Sequence, residues 1–311
     1  MKKDSKIFVA GHRGLVGSAI VRTLKERGYE NIITRTRQEL DLLNQQDVSN
    51  FFKEEMPEYV FDAAARVGGI YANDTFSADF IYENIQIQNN LIHSSWRYGV
   101  EKFLFLGSVC IYPKYAEVPV KEESLLTGYL EPTNDAYAVA KISGIKMLQA
   151  YCKQYGFKSV SLMPSNLYGP GDNFHPENGH VIPAMMTKFN NSNGKKVTFW
   201  GDGTPMREFL YCDDLADACL FAMDKFENAE LINVGSGYNI SIKELAQTVA
   251  AVVGYGGEIN WDTSRPNGTP NRPLDYSKMI EFGWKPKHSL LSGLMETYQW
   301  FSENTCYENS K

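Results

Sequence analysis

Paired cysteines, clustered positive charge and long apolar runs are all scarce in these 311 residues. The five cysteines (Cys110, Cys152, Cys212, Cys219 and Cys306) form no C-x-x-C pair and no zinc-like spacing, so neither a disulfide framework nor a metal is expected. Lys and Arg number 31 against 37 Asp and Glu, a net charge of −6, and no basic run exists to track a phosphate backbone. Nucleic acid is therefore not expected as a partner. Uncharged stretches such as 245–257 are too short and too Gly-rich to span a bilayer. The opening Met1-Lys2-Lys3-Asp4-Ser5-Lys6 runs into a strand pattern without a signal core, and no membrane association is expected. A cytoplasmic protein is the expectation. Against these absences stands an ordinary globular composition, 43% apolar and 22% charged, enough for one large domain or two modest ones.

Through the first half, β-rich apolar runs alternate with helical patterns, the signature of a parallel sheet covered on both faces. The expected class is α/β, a Rossmann-like doubly wound sheet. Strands are read at 7–10, 32–34, 59–63, 103–106, 159–163 and 231–234, and helices at 16–26, 46–54, 78–98 and 135–155. The second half is punctuated by Pro164, Gly169-Pro170-Gly171, Pro176, Pro183 and Gly201-Asp202-Gly203. A dinucleotide-binding domain is expected over 1–167, with returns near 208–235, and a smaller substrate-binding lobe mainly over 168–311. The tail 305–311 looks frayed. The helices at 78–98 and 135–155 carry little charge, more apolar face than one sheet needs. A homodimer joined through a four-helix bundle would bury the excess.

Gly11-His12-Arg13-Gly14-Leu15-Val16-Gly17 follows the first strand and opens a helix. Glycines there let a pyrophosphate approach the amides of a helix N-terminus, although a tight turn alone also selects Gly. An NAD site ends its second strand on an acidic residue that holds the ribose 2′-hydroxyl. Here that place reads Thr34-Arg35-Thr36-Arg37. Arginine suits a 2′-phosphate, with Arg13 able to join, so NADP(H) is preferred to NAD unless these are solvated surface charges. Asp41 and Leu42 stand where they could border adenine.

Tyr137-Ala138-Val139-Ala140-Lys141 puts a phenol and an ammonium one turn apart on one helix face. A nearby cation favours the phenolate, so Lys141 is expected to lower the Tyr137 pKa. Ser108 follows the 103–106 strand, at the strand end that lines the crevice of an open α/β sheet, where its hydroxyl can orient a carbonyl.

Taken in order, the 11–17 glycine loop, Asn84, Ser108, Tyr137 and Lys141 resemble the extended short-chain dehydrogenase/reductase family, whose members act on nucleotide sugars. The likeness is sharpest to the members that epimerise and reduce GDP-4-keto-6-deoxy-D-mannose, and it covers nearly the whole chain. It is carried by Ala10-Gly11-His12-Arg13-Gly14, residues 63–70 and 107–113, and Leu130-Glu131-Pro132-Thr133-Asn134. Asn166-Leu167-Tyr168-Gly169-Pro170, Asp172-Asn173-Phe174-His175-Pro176 and residues 203–210 continue it.

The resemblance implies a GDP-sugar substrate, inversion at C3 and C5, and NADPH-dependent reduction at C4 to GDP-L-fucose. It implies Cys110 as the base and His180, in the 178–183 segment, as the partner acid; their reference pKa values of ~8.5 and ~6.5 bracket neutrality. On composition alone Cys110 reads as an apolar filler and His180 as an idle loop histidine. Tyr137 would protonate the C4 oxyanion while Lys141 anchors the nicotinamide ribose. Further cofactor contacts are implied for Ala64, Leu106, Gly107, Pro164, Asn166, Leu167 and His180. Trp200 for stacking and Arg207 for the diphosphate are implied substrate contacts, with Lys188 and Asp275 as lesser ones. Rival readings are a 4-epimerase or 4,6-dehydratase of the same fold, or a non-catalytic dinucleotide sensor. A dehydratase would usually carry Asp-Glu where this chain has Val109-Cys110.

Overall fold

Four consecutive buried residues open the architecture: Ile7–Ala10 (β1), whose alternate side chains enter two different cores. A computed structural model describes residues 1–176, 179–265 and 272–305. Leu15–Glu26 (α1) follows and buries Ala19, Ile20, Thr23 and Leu24, an apolar stripe at helical spacing. Next come the short strand Ile32–Ile33 (β2) and Gln45–Glu55 (α2), which is capped by Asn44 accepting from the Gln46 and Asp47 amides. Tyr59–Asp62 (β3), Ile70–Thr75 (α3), Ser77–Arg97 (α4), Lys102–Leu106 (β4), a 3₁₀ turn at Val109–Ile111, Asp135–Tyr155 (α5) and Ser159–Pro164 (β5) complete the first half.

The second half holds Asn166–Tyr168 (β6), Val181–Asn191 (α6), Val197–Trp200 (β7), Met206–Tyr211 (β8) and Cys212–Lys225 (α7). Asn228–Val234 (β9), Asn239–Ser241 (β10), Ile242–Val253 (α8), Ile259–Asp262 (β11), Ser277–Glu281 (α9) and Leu290–Thr305 (α10) follow. Six strands form one parallel sheet in the order β2-β1-β3-β4-β5-β9. The α/β class read from the pattern is what the chain adopts, and β9 brings the chain back into the first sheet from beyond residue 208.

Side chains alternate across this sheet with period two, and both faces are covered. Ile7, Val9, Phe61, Leu104 and Val160 pack toward the core shared with α1 and α7. Phe8, Val60, Phe103 and Phe105 face the opposite way, among Leu91 and Ile92 of α4 and Ile142, Ile145 and Leu148 of α5. Two small sheets, β10-β8-β6 and β11-β7, stand apart from the large one. Element boundaries lie within one residue of the pattern reading in the first half, whereas β9 extends back to Asn228.

The low-charge faces of α4 and α5 are partly spent on each other. Gln88 donates to the Ala140 carbonyl at 2.6 Å, and Trp96 stacks on Tyr155 with ring centroids 4.3 Å apart. Tyr82, Val139 and Tyr155 remain exposed. No described helix is long and apolar enough to cross a membrane. Cys306, Asn178 and the tail 306–311 lie outside the described residues.

Candidate active site

The carboxyl ends of β1, β3, β4 and β5 open into one cavity of about 870 Å³. It lies where the strand order reverses between β1 and β3, the switch point at which open parallel sheets bind ligands. Gly11 leaves β1 at φ +76°, and a Cβ there would stand 2.5 Å from the Ala63 carbonyl oxygen. At Gly17 a Cβ would land on the carbonyl of Gly11, whereas at Gly14 it would make only an ordinary contact, 3.5 Å from the same oxygen. Gly17 does not line the cavity; its part is to let α1 press onto the loop. Gly14 caps α1 without a side-chain bond. The helix therefore presents uncapped amides beside Arg13, Gly14, Leu15 and Val16, all of which border the cavity and suit a diphosphate.

Arg13 and Arg37 line the same cavity and make no ion pair among the described residues. Arg35 is different: it donates to Glu55 on α2 at 2.5 Å and lies 5.5 Å over the Phe51 ring. Arg35 also lines the cavity, but part of its guanidinium is already neutralised by Glu55. Asp41 and Leu42 also border the cavity. Asp41 accepts from the Leu43 amide at 3.1 Å, and Asn90 donates to the Leu42 carbonyl at 2.8 Å. Ala64, Leu106, Gly107, Pro164, Asn166 and Leu167 complete the walls. The 63–69 loop is clamped by buried Asn84, which accepts from the Arg66 amide and donates to the Arg66 carbonyl, both at 3.0 Å. The residues present thus fit NADP(H).

Ser108, Tyr137 and Lys141 meet on this wall. Ser108 heads the 3₁₀ turn after β4, its Oγ accepting from the Cys110 amide at 3.4 Å. Lys141 is buried, donates to the Leu106 carbonyl at 2.9 Å, and lies 5.9 Å from the Tyr137 ring centroid. Burial first, then negative charge at Cys110 and Asp62, pushes the Tyr137 phenol well above its ordinary range. This reverses the expected lowering by Lys141, because desolvation of the phenolate dominates. A phenol held in this way stays protonated at neutral pH, the form that donates a proton.

Cys110 does not line the cavity but lies against its wall. Burial pushes its thiol up to about 11, while the Ser108 hydroxyl, Lys141 and Arg272 pull the other way. His180 lines the cavity at the N-cap of α6, with Nδ1 2.9 Å from Asp172 Oδ1. The hydrogen bond to Asp172 raises its pKa against the opposing effect of burial. Cys110 and His180 are thus both shifted upward from their reference values. Sequence reasoning passed over Asp172, whose carboxyl is only 2% exposed, because a histidine and a carboxylate eight residues apart in a loop obey no periodicity.

The four candidate substrate contacts do not line the cavity. Trp200 ends β7, 71% exposed, with the Arg265 guanidinium 5.2 Å over its ring. Arg207 on β8 is half-buried and donates to the Met206 carbonyl at 2.7 Å. Lys188 lies 5.7 Å over the Phe199 ring, and Asp275 accepts from the Ser277 amide at 2.9 Å just before α9.

Residues 7–235 match the NAD dependent epimerase/dehydratase family. The chain belongs to that family. It is 56% identical over 307 residues to GDP-L-fucose synthase 1 of Arabidopsis thaliana, covering 98% of this chain and 95% of that one. Against GDP-L-fucose synthase of Escherichia coli (strain K12) the identity is 51% over 311 residues, covering 96% and 97%. A crystal structure of a GDP-L-fucose synthetase from Naegleria fowleri bound to NADP superposes with a TM-score of 0.92 at 30% identity, covering 99% of this chain and 95% of that one.

The Asp172–His180 pair gives a titration to check. The folded-state pKa of His180 is raised, so the pair's contribution to stability is complete below pH 6.5 and is lost as pH rises through the folded value. By NMR the imidazole of His180 is expected to titrate above 6.5 in the native chain, and Asp172→Asn to bring the midpoint down. An unmoved midpoint contradicts the pairing.

Proposed function

We propose that the chain carries out the reaction of a GDP-L-fucose synthase: 3,5-epimerisation of GDP-4-keto-6-deoxy-D-mannose, then NADPH-dependent reduction at C4. One observation carries this reading. The proton-donating set Ser108, Tyr137 and Lys141 shares a single cavity with the imidazole of His180, while a thiol, Cys110, abuts Ser108. Relatives of that name at 51% and 56% identity support the substrate.

Hydrogens at C3 and C5 are acidic only while the C4 carbonyl can take up the negative charge, so inversion must precede reduction. Cys110 as thiolate removes a proton from one face of the sugar, and the imidazolium of His180 returns one from the other. The raised thiol pKa makes Cys110 a scarce base but a strong one, and Lys141, Arg272 and Ser108 favour its ionised form. Ser108 hydrogen-bonds the C4 oxygen throughout. NADPH, when bound, supplies the hydride for C4. Tyr137 then gives its phenolic proton to the oxygen, with Lys141 beside it to stabilise the developing phenolate.

Arg13 and Arg37 hold the 2′-phosphate by charge-assisted bonds, and the uncapped N-terminus of α1 takes the diphosphate of the cofactor. The large-sheet unit, mainly 1–167 with later returns, binds NADP(H), and the small sheets of 168–311 supply the substrate lobe. There Trp200 stacks on guanine and Arg207 meets the diphosphate of the sugar nucleotide, with Lys188 and Asp275 as further contacts. A free thiol at the site suits the reducing cytoplasm.

The exposed Tyr82, Val139 and Tyr155 on α4 and α5 support pairing with a second copy of this chain as a four-helix bundle. Light scattering at micromolar concentration is expected to return twice the 35.2 kDa chain mass, and a monomeric mass rejects the bundle.

The chemistry itself is tested in deuterated water. Native enzyme with GDP-4-keto-6-deoxy-D-mannose is expected to incorporate deuterium at C3 and C5 at a rate that rises with pH as Cys110 ionises, and to oxidise NADPH. Cys110→Ser is expected to slow that exchange about a hundredfold or more, the usual worth of a positioned base. Undiminished exchange in the variant removes Cys110 from the role.

A further inference from the structure

Asp62, the last residue of β3, has no part in the reaction proposed above, yet it carries a carboxyl group into the interior beside the groups that do. It is only 1% exposed. Its Oδ1 accepts from the Ala64 amide at 3.1 Å, and its Oδ2 is buried without a hydrogen-bond partner. An ionised carboxylate in that setting is costly unless a positive charge faces it.

Strand register identifies the charge. Asp62 pairs with Phe105 of β4 and with Ala10 of β1. Side chains at paired positions of parallel strands leave the same face of the sheet. Val60 and Phe105 face the core shared with α5, so Asp62, two residues past Val60, points that way as well. The Lys141 ammonium occupies this face, 4.6 Å from the centroid of the Phe105 ring, while donating to the carbonyl of the next residue, Leu106. Lys141 is 3% exposed and has no carboxylate within ion-pair distance among the described residues. A buried cation and a buried carboxylate with an orphaned oxygen thus flank the same pair of residues on β4.

Granting the reaction proposed above, on which this step rests, the geometry points to Asp62 as a positioning residue for the reduction: its carboxylate is the counter-charge that keeps Lys141 an ammonium beside Tyr137. Asp62 is not a catalytic residue, since it does not line the cavity. The titratable groups that act on the pair are Tyr137 and Lys141 of α5 and Cys110 of the turn after β4; Arg272 acts on Cys110 in turn. From α4 come neutral amides, Gln88 donating to the carbonyl of Ala140, next to Lys141, and Asn84 to that of Arg66.

The electrostatic directions agree. Burial draws Lys141 down and Asp62 raises it, while burial lifts the Asp62 carboxyl to about 6 against the pull of Lys141 and the Ala64 amide. Above that pH the pair is ionic. With Asp62 uncharged, Lys141 gives up its proton at lower pH, and the cation that favours proton transfer from Tyr137 is lost sooner as pH rises.

Asp62→Asn removes the charge while keeping an oxygen for the Ala64 amide. In the variant the alkaline limb of kcat for NADPH oxidation is expected to move down by about one pH unit or more, the effect of losing a close opposite charge. Exchange at C3 and C5 at neutral pH stays within a few-fold. An unmoved alkaline limb, with native enzyme active on the same keto sugar, overturns the proposal. A second measurement needs neither substrate nor the Asp62 variant. In native protein carrying ¹³C-labelled aspartate, the Asp62 carboxyl is expected to titrate near 6, and in Lys141→Met its midpoint rises. A midpoint that ignores Lys141→Met also overturns the pairing. If native enzyme fails to oxidise NADPH with the keto sugar, the reaction assignment fails instead, and the carboxyl titration still decides whether Asp62 and Lys141 are paired.

Discussion

A charged amine held in a dry interior is the constraint around which the active site is organised. Lys141 lies beside Tyr137 on the inner side of α5, almost wholly buried. The fold stabilises it there with the carbonyl of Leu106, the face of Phe105 and the negative charge of Asp62. Each of these comes from the carboxyl end of a strand. The same sheet that builds the core therefore brings the compensating groups to one place, and the parallel register keeps them there.

Desolvation sets the working states of the remaining groups. Tyr137 is held protonated, Cys110 is held as a thiol at about 11, and His180 is drawn toward imidazolium by Asp172. The resting site is thus loaded with protons to give, and its one base must be generated by neighbouring positive charge. This suits a reaction in which a ketone first acidifies its neighbours and is then consumed. On the proposed assignment both chemistries act through one carbonyl held by Ser108, which accounts for His180 bordering the same cavity as Ser108, Tyr137 and Lys141, with Cys110 against its wall.

Much of the first half was legible because its elements are buried on both sides. Ile7–Ala10, Phe103–Leu106 and the stripes of α4 and α5 could hardly be read otherwise, and the glycine loop stands between strand and helix as its chemistry requires. The second half was not, since β6, β7, β10 and β11 are three or four residues long and set among Gly and Pro turns, too brief for alternation to register. Long-range pairing was equally hidden. Glu55 takes Arg35 from twenty residues away, and Asp172 reaches His180 across a loop without period. Asp62 ends an apolar strand and looks like an ordinary strand terminus until the register sets it beside Phe105. Burial was the other blind spot: sequence spacing brought Lys141 next to Tyr137 but could not reveal that desolvation outweighs their attraction.

The central claim is that reduction depends on the buried ammonium far more than inversion does. Lys141→Met, assayed in deuterated water with saturating NADPH, separates them. NADPH oxidation is expected to fall about a hundredfold or more, while deuterium entry at C3 and C5 falls only several-fold, because Arg272 and Ser108 still favour the Cys110 thiolate. Loss of exchange in step with oxidation would contradict the division of labour described here.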